Sequence, residues 1–517
     1  MKKLKLVCVA IAMAGAAPTF AGGLLTNTNQ HVAFNRMMSR EASIGIDGVY
    51  YNPAGVVFMG EGHHLAINWQ LAYQTRTINN DYKLFTNNVN NPITPRDFKG
   101  KAFAPVIPSF QYAYNKGKWS FQANFSLTGG GGKCTFDDGL GSFEKIVSET
   151  AIAACKLAGA VDQVAEAYHV PAIFSSNQCF GTEGKYSYNS YMHGRQYYYG
   201  LSAGAAYKFC DNFSAFLGVR GVYALTNYYG YVENINVGNM PLYKVLDPTK
   251  ENAANIELSC DQTGVGFTPI IGVDYKTGRW NFSAKYEFKT RIRLKNKSVN
   301  QTPSIGNLPA NLANQMTGIL TDKFHNAGLP LEQAKQQAEN TTNAVLNDPT
   351  VGATMMGLKT QFDQKLNKAI GEYEDGKKIA GDIPGYLALG IGYSPVDAVR
   401  VNVGFHWFDD KNATSYNNRN KELKRGTLEY NAGVEVDVNK KITLSTGWQN
   451  TNYGLSDEYM DDKSFVVSSN SAAIGGVYHI NKKTDLNVAY FHTFYQHKKT
   501  SETVQLAADK SVVYNSD

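Results

Sequence analysis

The chain has 517 residues, 18% of them charged and 12% aromatic, with 48 Gly, 32 Tyr and a formal net charge of +6. So small a charge excludes an electrostatic nucleic-acid binder. The six Cys have irregular spacings and no C-x-x-C pair, which excludes a zinc cluster. Low charge with abundant Tyr and Gly points to a sheet protein whose outer face avoids charge.

Residues 1–21 read as a secretion signal: Lys2, Lys3 and Lys5, then the apolar run Leu6 to Ala17, then Thr19-Phe20-Ala21 as a cleavage site. The mature chain is expected to start at Gly22, and Cys8 lies too early to be a lipoprotein cysteine. No later stretch approaches the roughly 18–20 apolar residues of a membrane helix. Of the remaining cysteines (Cys134, Cys155, Cys179, Cys210, Cys260), one or two pairs could form in an oxidising compartment, leaving at least one thiol over.

Residues 22–60 show no alternation. Helix-forming character at 30–43 gives way to Gly45, Gly48, Asn52-Pro53 and Gly55. Irregular polar backbone of this kind cannot face lipid, but it can sit inside a barrel. The segment is therefore predicted to be a hatch that plugs a lumen, with Asn52, Pro53 and Ala54 as its fixed point.

From about residue 62 to 497 the dominant signal is period two. In 119–128 Trp119, Phe121, Ala123, Phe125 and Leu127 alternate with polar residues, and in 428–438 Leu428, Tyr430, Ala432, Val434, Val436 and Val438 do so. Residues 281–295 read as one long strand, with Phe282, Ala284, Tyr286, Phe288, Ile292 and Leu294 on one face and the charged residues on the other. A helix would scatter these faces. Tight turns are predicted at 115–118, 209–212, 275–278, 394–397, 438–441 and 480–483, and the links between them are long. Short turns at one end and long loops at the other are the asymmetry of an outer-membrane barrel. The fold class expected is all-β: a transmembrane antiparallel β-barrel over 61–517 with about fourteen strands. Thirteen are placed by pattern, and the closing one must fall in 500–517, where the pattern is weak. The links 140–169 and 308–380 carry helical spacing and are expected to cap the extracellular mouth. A soluble, secreted β-solenoid or sandwich is the competing fold, and its strands are usually shorter.

No enzyme motif survives its context. Gly200 to Gly204 fits G-x-S-x-G, but Ser202 sits mid-strand rather than at a strand-to-helix elbow. Residues 128–134, TGGGGKC, lack the first Gly and the final Ser/Thr of a phosphate loop. His63-His64 has no third ligand at metal spacing. No catalytic residue, metal or cofactor is expected.

The start GGLL, the segment AFNRMMSREASIGIDGVYYNPAG and the loop ending DIPGYLALGIGYSP resemble the FadL-type transporters of long-chain fatty acids and hydrocarbons in Gram-negative outer membranes. The resemblance implies a fourteen-stranded barrel with an amino-terminal hatch, capture of a hydrophobic ligand at the extracellular loops, and an apolar pocket where hatch meets wall. It also implies a sideways exit beside a kinked third strand. The third strand is 119–128, with no kink legible inside it and the run Gly129 to Gly132 at its outer end.

A fatty acid needs an apolar path for its tail and a cation for its carboxylate. Phe216 is an inward apolar candidate. Arg36, Arg220, Lys285, Lys289, Arg291, Arg293 and Arg400 are candidate ligand or lumen cations. The plainer expectation for each is pairing with Glu287, Glu429, Glu435 or Asp437. The function expected is passive outer-membrane transport of hydrophobic small molecules, foremost long-chain fatty acids, by a monomer. Its surroundings would be outer-membrane lipid and lipopolysaccharide, and its insertion would use the barrel assembly machinery. A surface adhesin and a lipid-acting barrel enzyme are the alternatives.

Overall fold

Six tight turns organise the chain in the computed structural model, which describes residues 26–174, 184–238, 240–303, 307–462, 466–507 and 510–517. The predicted signal peptide and Cys179 lie outside the described residues. The strands are β1 (Gly62–Tyr82), β2 (Arg96–Lys116), β3 (Trp119–Phe136), β4 (Tyr186–Cys210), β5 (Phe213–Val237), β6 (Met240–Pro241), β7 (Ile256–Thr277), β8 (Trp280–Glu287) and β9 (Arg293–Gln301). They continue as β10 (Lys378–Ala380), β11 (Tyr386–Val396), β12 (Val399–Phe408), β13 (Leu428–Asn439), β14 (Ile442–Asn452), β15 (Ser469–Asn481), β16 (Thr484–Tyr495), β17 (Thr500–Ala507) and β18 (Lys510–Ser516). Hairpins close between β2 and β3, β4 and β5, β7 and β8, β11 and β12, β13 and β14, and β15 and β16. These are the six turns the sequence marked. Gly117 and Gly278 hold φ of 58° and 56° in two of them, a conformation that suits Gly because it has no Cβ.

All the long pairings are antiparallel, and the row runs β1, β2, β3, β4, β5, β7, β8, β11, β12, β13, β14, β15, β16. The outer face is apolar, with Leu65, Ile67, Trp69, Leu217, Phe267 and Tyr490 all exposed. Near the tight turns Trp119 meets Tyr207 at 4.7 Å and Trp280 meets Tyr393 at 4.3 Å between ring centroids. An apolar band edged by aromatic rings is what lipid selects. Among the described residues no helix is long and apolar enough to cross a membrane.

The two ends of the row, β1 and β16, differ from expectation. The sequence placed a closing span in 500–517; β17 and β18 instead form a hairpin against the outer end of β1, with Asn80 opposite Ser516 and Tyr82 opposite Tyr514. Asn79 and Asp517 exchange two backbone bonds of 2.9 Å. Among the described residues no ladder joins β16 to β1. Side chains bridge that seam: Gln74 Nε2 donates to Tyr495 Oη, and the Arg76 guanidinium lies 4.6 Å from the centre of the Tyr495 ring.

A second correction concerns 281–295. The ladder stops at Glu287, and residues 288–292 leave it before β9 resumes. Pro269 on the facing strand offers no N–H there, and its carbonyl accepts from Phe288 N at 3.0 Å. The face reverses across this break. Lys285 and Glu287 are buried inside, whereas beyond it Ile292 and Leu294 are buried and Arg291 and Arg293 are exposed. The single inward-facing cation cluster predicted over 285–293 is therefore split between two faces.

The long links carry the helices α3 (Gly141–Ala167), α5 (Leu308–Asn326), α6 (Leu331–Leu346) and α7 (Pro349–Ile370), after the short α1 (Val32–Met37) and α2 (Gly48–Tyr51) and a single turn, α4 (Tyr243–Leu246). The largest apolar core joins strand ends to these helices: Tyr82, Phe98 and Phe136 pack with Phe143 and Val147 of α3 and Met316 of α5. Cys134, Cys210 and Cys260 are free thiols.

Candidate substrate path

Residues 26–60 are almost wholly buried against the inner face of the sheet. His31 caps α1: its Nδ1 accepts from Ala33 N at 2.9 Å, and Met38 ends the helix at φ 61°. Three successive residues then reach three different strands. Asn52 Nδ2 donates to Asp274 Oδ2 of β7 at 2.6 Å, Pro53 O accepts from Gln122 of β3 at 2.7 Å, and Ala54 O accepts from Ser214 of β5 at 2.7 Å. Asn52 Oδ1 also accepts from Gly55 N at 3.1 Å, which tightens the turn. Proline suits this place because its carbonyl is used and its missing N–H is not needed. Phe216 packs on Ala54 together with Val57, Ala206 and Ile270.

Among the described residues, all the predicted cations but Arg291 have partners within the fold. Arg220 donates to both Glu287 oxygens at 2.6 and 2.9 Å, and Lys285 donates to Glu287 at 2.9 Å and to Tyr50 O at 2.6 Å. Arg400 makes two 2.7 Å bonds to Asp437. Arg36 meets Glu435, Ser445 at 2.9 Å and Asn487 at 3.2 Å. Lys289 donates to Asn412 O at 2.9 Å, and Arg293 to Asp382 at 2.9 Å. Arg291 is exposed on the other face and takes no place in the interior. Arg36, Arg220 and Lys285 are thus neutralised by carboxylates within the fold, as an ion in a low-dielectric interior must be.

Beside the expected Glu287, Glu429, Glu435 and Asp437, four charged or titratable groups that the sequence did not single out, Arg40, Glu41, Asp47 and His406, complete a clamp on residues 26–60. His406 sits between Glu41 and Glu429, at 2.7 and 2.8 Å from its two ring nitrogens. Arg40 holds Asp47 through two bonds of 2.7 and 2.9 Å and reaches Glu435 at 3.0 Å. The available signal was an acid or His at inward positions of β12, β13 and β7, which alternation alone assigns to a wet lumen. Ser202 lies mid-strand in β4, with Oγ accepting from Arg220 Nε at 3.2 Å.

On the opposite side the wall is interrupted. β2 and β3 pair over 110–116 with 119–125 and again over 100–102 with 134–136, but not between. Pro105 and Pro108 remove two donors from β2. β3 is bulged at Leu127/Gly129 and Gly130/Gly132, where Gly130 and Gly132 hold φ of 72° and 125°. The glycines that the sequence placed at the outer end of the third strand are therefore irregular strand within it, and the irregularity begins at Leu127. The amino-terminal segment lies behind this window: Asn27 N donates to Thr128 O at 3.0 Å, Gln30 Nε2 to Leu127 O at 2.7 Å, and Ser109 Oγ to Gln30 O at 2.6 Å. On the outside Trp69 Nε1 donates to Pro105 O at 2.8 Å.

An antiparallel sheet with an apolar outer face, a buried amino-terminal segment and an interrupted ladder between β2 and β3 can be compared with solved structures. A FadL homologue of Pseudomonas aeruginosa superposes with a TM-score of 0.53 at 13% identity, over 97% of this chain and 96% of that one. The fold is that of the FadL-type transporters. Weaker superpositions are found with the toluene transporter TodX of Pseudomonas putida (TM-score 0.46, 12% identity, 97% and 98% of the two chains) and TbuX of Ralstonia pickettii (0.43, 13%, 92% and 93%). No protein-family model and no curated protein matches the sequence. Within the FadL-type fold of this chain, the window and the clamp lie on opposite flanks of residues 26–60.

Proposed function

We propose that the chain is an outer-membrane channel that passes hydrophobic small molecules, long-chain fatty acids first among them, without an energy source. The observation that carries this reading is the interrupted β2–β3 ladder with residues 26–31 behind it. An open ladder in a membrane wall leaves backbone groups without partners, which is costly unless something else meets them. Here the hatch meets two of them, the carbonyls of Leu127 and Thr128, so a shift of the hatch opens a path from the interior to lipid. Ligand is captured among the helical loops, moves to the apolar contact of Phe216 with Ala54, and leaves through the window. The chain acts as a monomer in outer-membrane lipid and lipopolysaccharide, inserted by the barrel assembly machinery. The Asn52-Pro53-Ala54 turn is the point about which the hatch holds.

Uptake of labelled oleate tests this. Cells carrying the chain should take it up faster than cells without it, and an Asn52→Ala/Pro53→Ala variant should differ from both. Equal uptake in all three removes the transport reading.

A further inference from the structure

Counted away from the tight turn at 275–278, the outward column of β8 is apolar, with Trp280, Phe282 and Phe288 all exposed. At the break the face reverses and the same outer column becomes cationic: Arg291, Arg293, Lys295 and Lys297 follow, each exposed. At about 3.3 Å per residue and a tilt of about 40°, the stretch from Trp280 to Arg291 climbs roughly 25–28 Å, the height of an apolar band. The cations therefore begin where hydrocarbon ends. Apolar surface persists beside them on β7, where Val265 is 63% and Phe267 70% exposed. Gly264 and Gly266 bring that part of β7 against the carbonyls of Arg293 and Arg291.

The carboxylates nearby are already engaged. Asp382 accepts from Arg293 at 2.9 Å and lies 3.8 Å from Lys289. Asp375 Oδ1 accepts from Ser298 N at 2.8 Å. Asp261, opposite Lys297 in the ladder, accepts from Asn227 Nδ2 at 2.8 Å. Lys378 of β10 stands directly opposite Lys295, and it too is exposed. Among the described residues Arg291, Lys295, Lys297 and Lys378 have no ion pair. Like charges facing each other across a ladder, with Cβ atoms about 5 Å apart, destabilise the pair. An anion seated between them turns that repulsion into attraction.

We propose that this column is a seat for a multiply acylated lipid carrying more than one phosphate, the chemistry of lipopolysaccharide in the outer leaflet. One phosphate enters between Lys295 and Lys378, and a second meets the Arg291 guanidinium, whose fork suits phosphate oxygens. The acyl chains lie along Val265, Phe267 and Phe288. A lone fatty-acid carboxylate would leave most of these cations unmet. The proposal rests on the outer-membrane part of the transport reading and adds a partner on its lipid face. It uses neither the hatch nor the window, and it gives a place to Arg291, which faces away from the interior.

Native mass spectrometry of the purified full chain in neutral detergent tests it, with three probes: lipid A with two phosphates, its one-phosphate form, and oleate. The two-phosphate form should bind most tightly and oleate least. Lys295→Gln/Lys378→Gln should weaken the two-phosphate form roughly tenfold. Lys482→Gln/Lys483→Gln, which removes two exposed cations at the tight-turn end, should leave it unchanged. Without lipid, Lys378→Glu should raise the thermal midpoint by relieving the repulsion, and it should still weaken lipid A. Equal binding of the two lipid A forms, equal losses in both double variants, a lowered midpoint for Lys378→Glu, or displacement of lipid A by millimolar inorganic phosphate at constant ionic strength overturns the proposal. Oleate uptake by cells is read separately: a failure here with uptake intact removes the seat alone, and absent uptake with lipid A preference intact removes the transport reading alone.

Discussion

The two flanks of residues 26–60 are built from different chemistry. Toward β12, β13 and β14 the segment is held by ions: Arg36 and Arg40 on Glu435, and His406 between Glu41 and Glu429. Toward β1, β2 and β3 it is held by amides and backbone groups, several polar atoms are unmet, and the wall beside it lacks a continuous ladder. A buried ion pair is costly to separate once formed, whereas a neutral hydrogen bond is exchanged for another at little net cost. The lesson is energetic: the ionic flank costs more to separate than the amide flank costs to rearrange.

The largest test of this contrast is Glu435→Ala. It leaves two buried guanidinium groups without that carboxylate and should cost roughly 3–5 kcal/mol, read as a lowered denaturant midpoint of the refolded protein. The next concerns pH. Burial pushes the His31 imidazole down to about 4 from 6.5. The unfolded chain therefore binds more protons than the folded one between those values, so stability falls as pH drops through that window and is level above it. The contribution is roughly 3–4 kcal/mol, obtained as the difference between the pH–stability curves of the unaltered chain and His31→Gln. A curve shared by both would show that the neutral flank tolerates charge, and the contrast would fail. The smallest effect is expected at Asn29→Ala. Removing an amide that has no partner should change stability by no more than about 0.5 kcal/mol in either direction. A loss approaching that of Glu435→Ala would make the flanks alike.

Much of the fold was legible because period two and short turns are local properties. Each strand from β1 to β16 that spans ten residues or so shows its alternation in its own sequence, and Lys440-Lys441 or Gly278-Arg279 mark their turns without help from distant residues. The site was less legible. Asn52-Pro53-Ala54 stood out as a breaker, but the three strands it touches could not be read from the triplet. Lys285 and Arg220 stood out as inward cations with Glu287 among the expected partners, but that this one carboxylate serves both was not legible, since it lies two residues from one and on another strand from the other. The amides of Asn29, Asn35 and Gln70 gave no signal at all, because an amide is ordinary in a polar segment until its neighbours are known.

The sequence by itself determined the strands, the six turns and the irregular amino-terminal segment, since alternation, Gly and Pro act within a few residues of themselves. Tertiary structure decided two things that no local pattern contains. Alternation in 281–295 is broken only at Thr290, yet its apolar face looks outward at Phe282 and Phe288 and inward from Ile292, where it joins Tyr198 and Ile379. Lipid and protein interior are both apolar, so hydrophobicity cannot tell them apart. The window likewise needs Pro105 and Pro108 on one strand to lie beside the bulges at Leu127 to Gly132 on the next. Each irregularity is visible alone, but only strand pairing brings them to the same place in the wall.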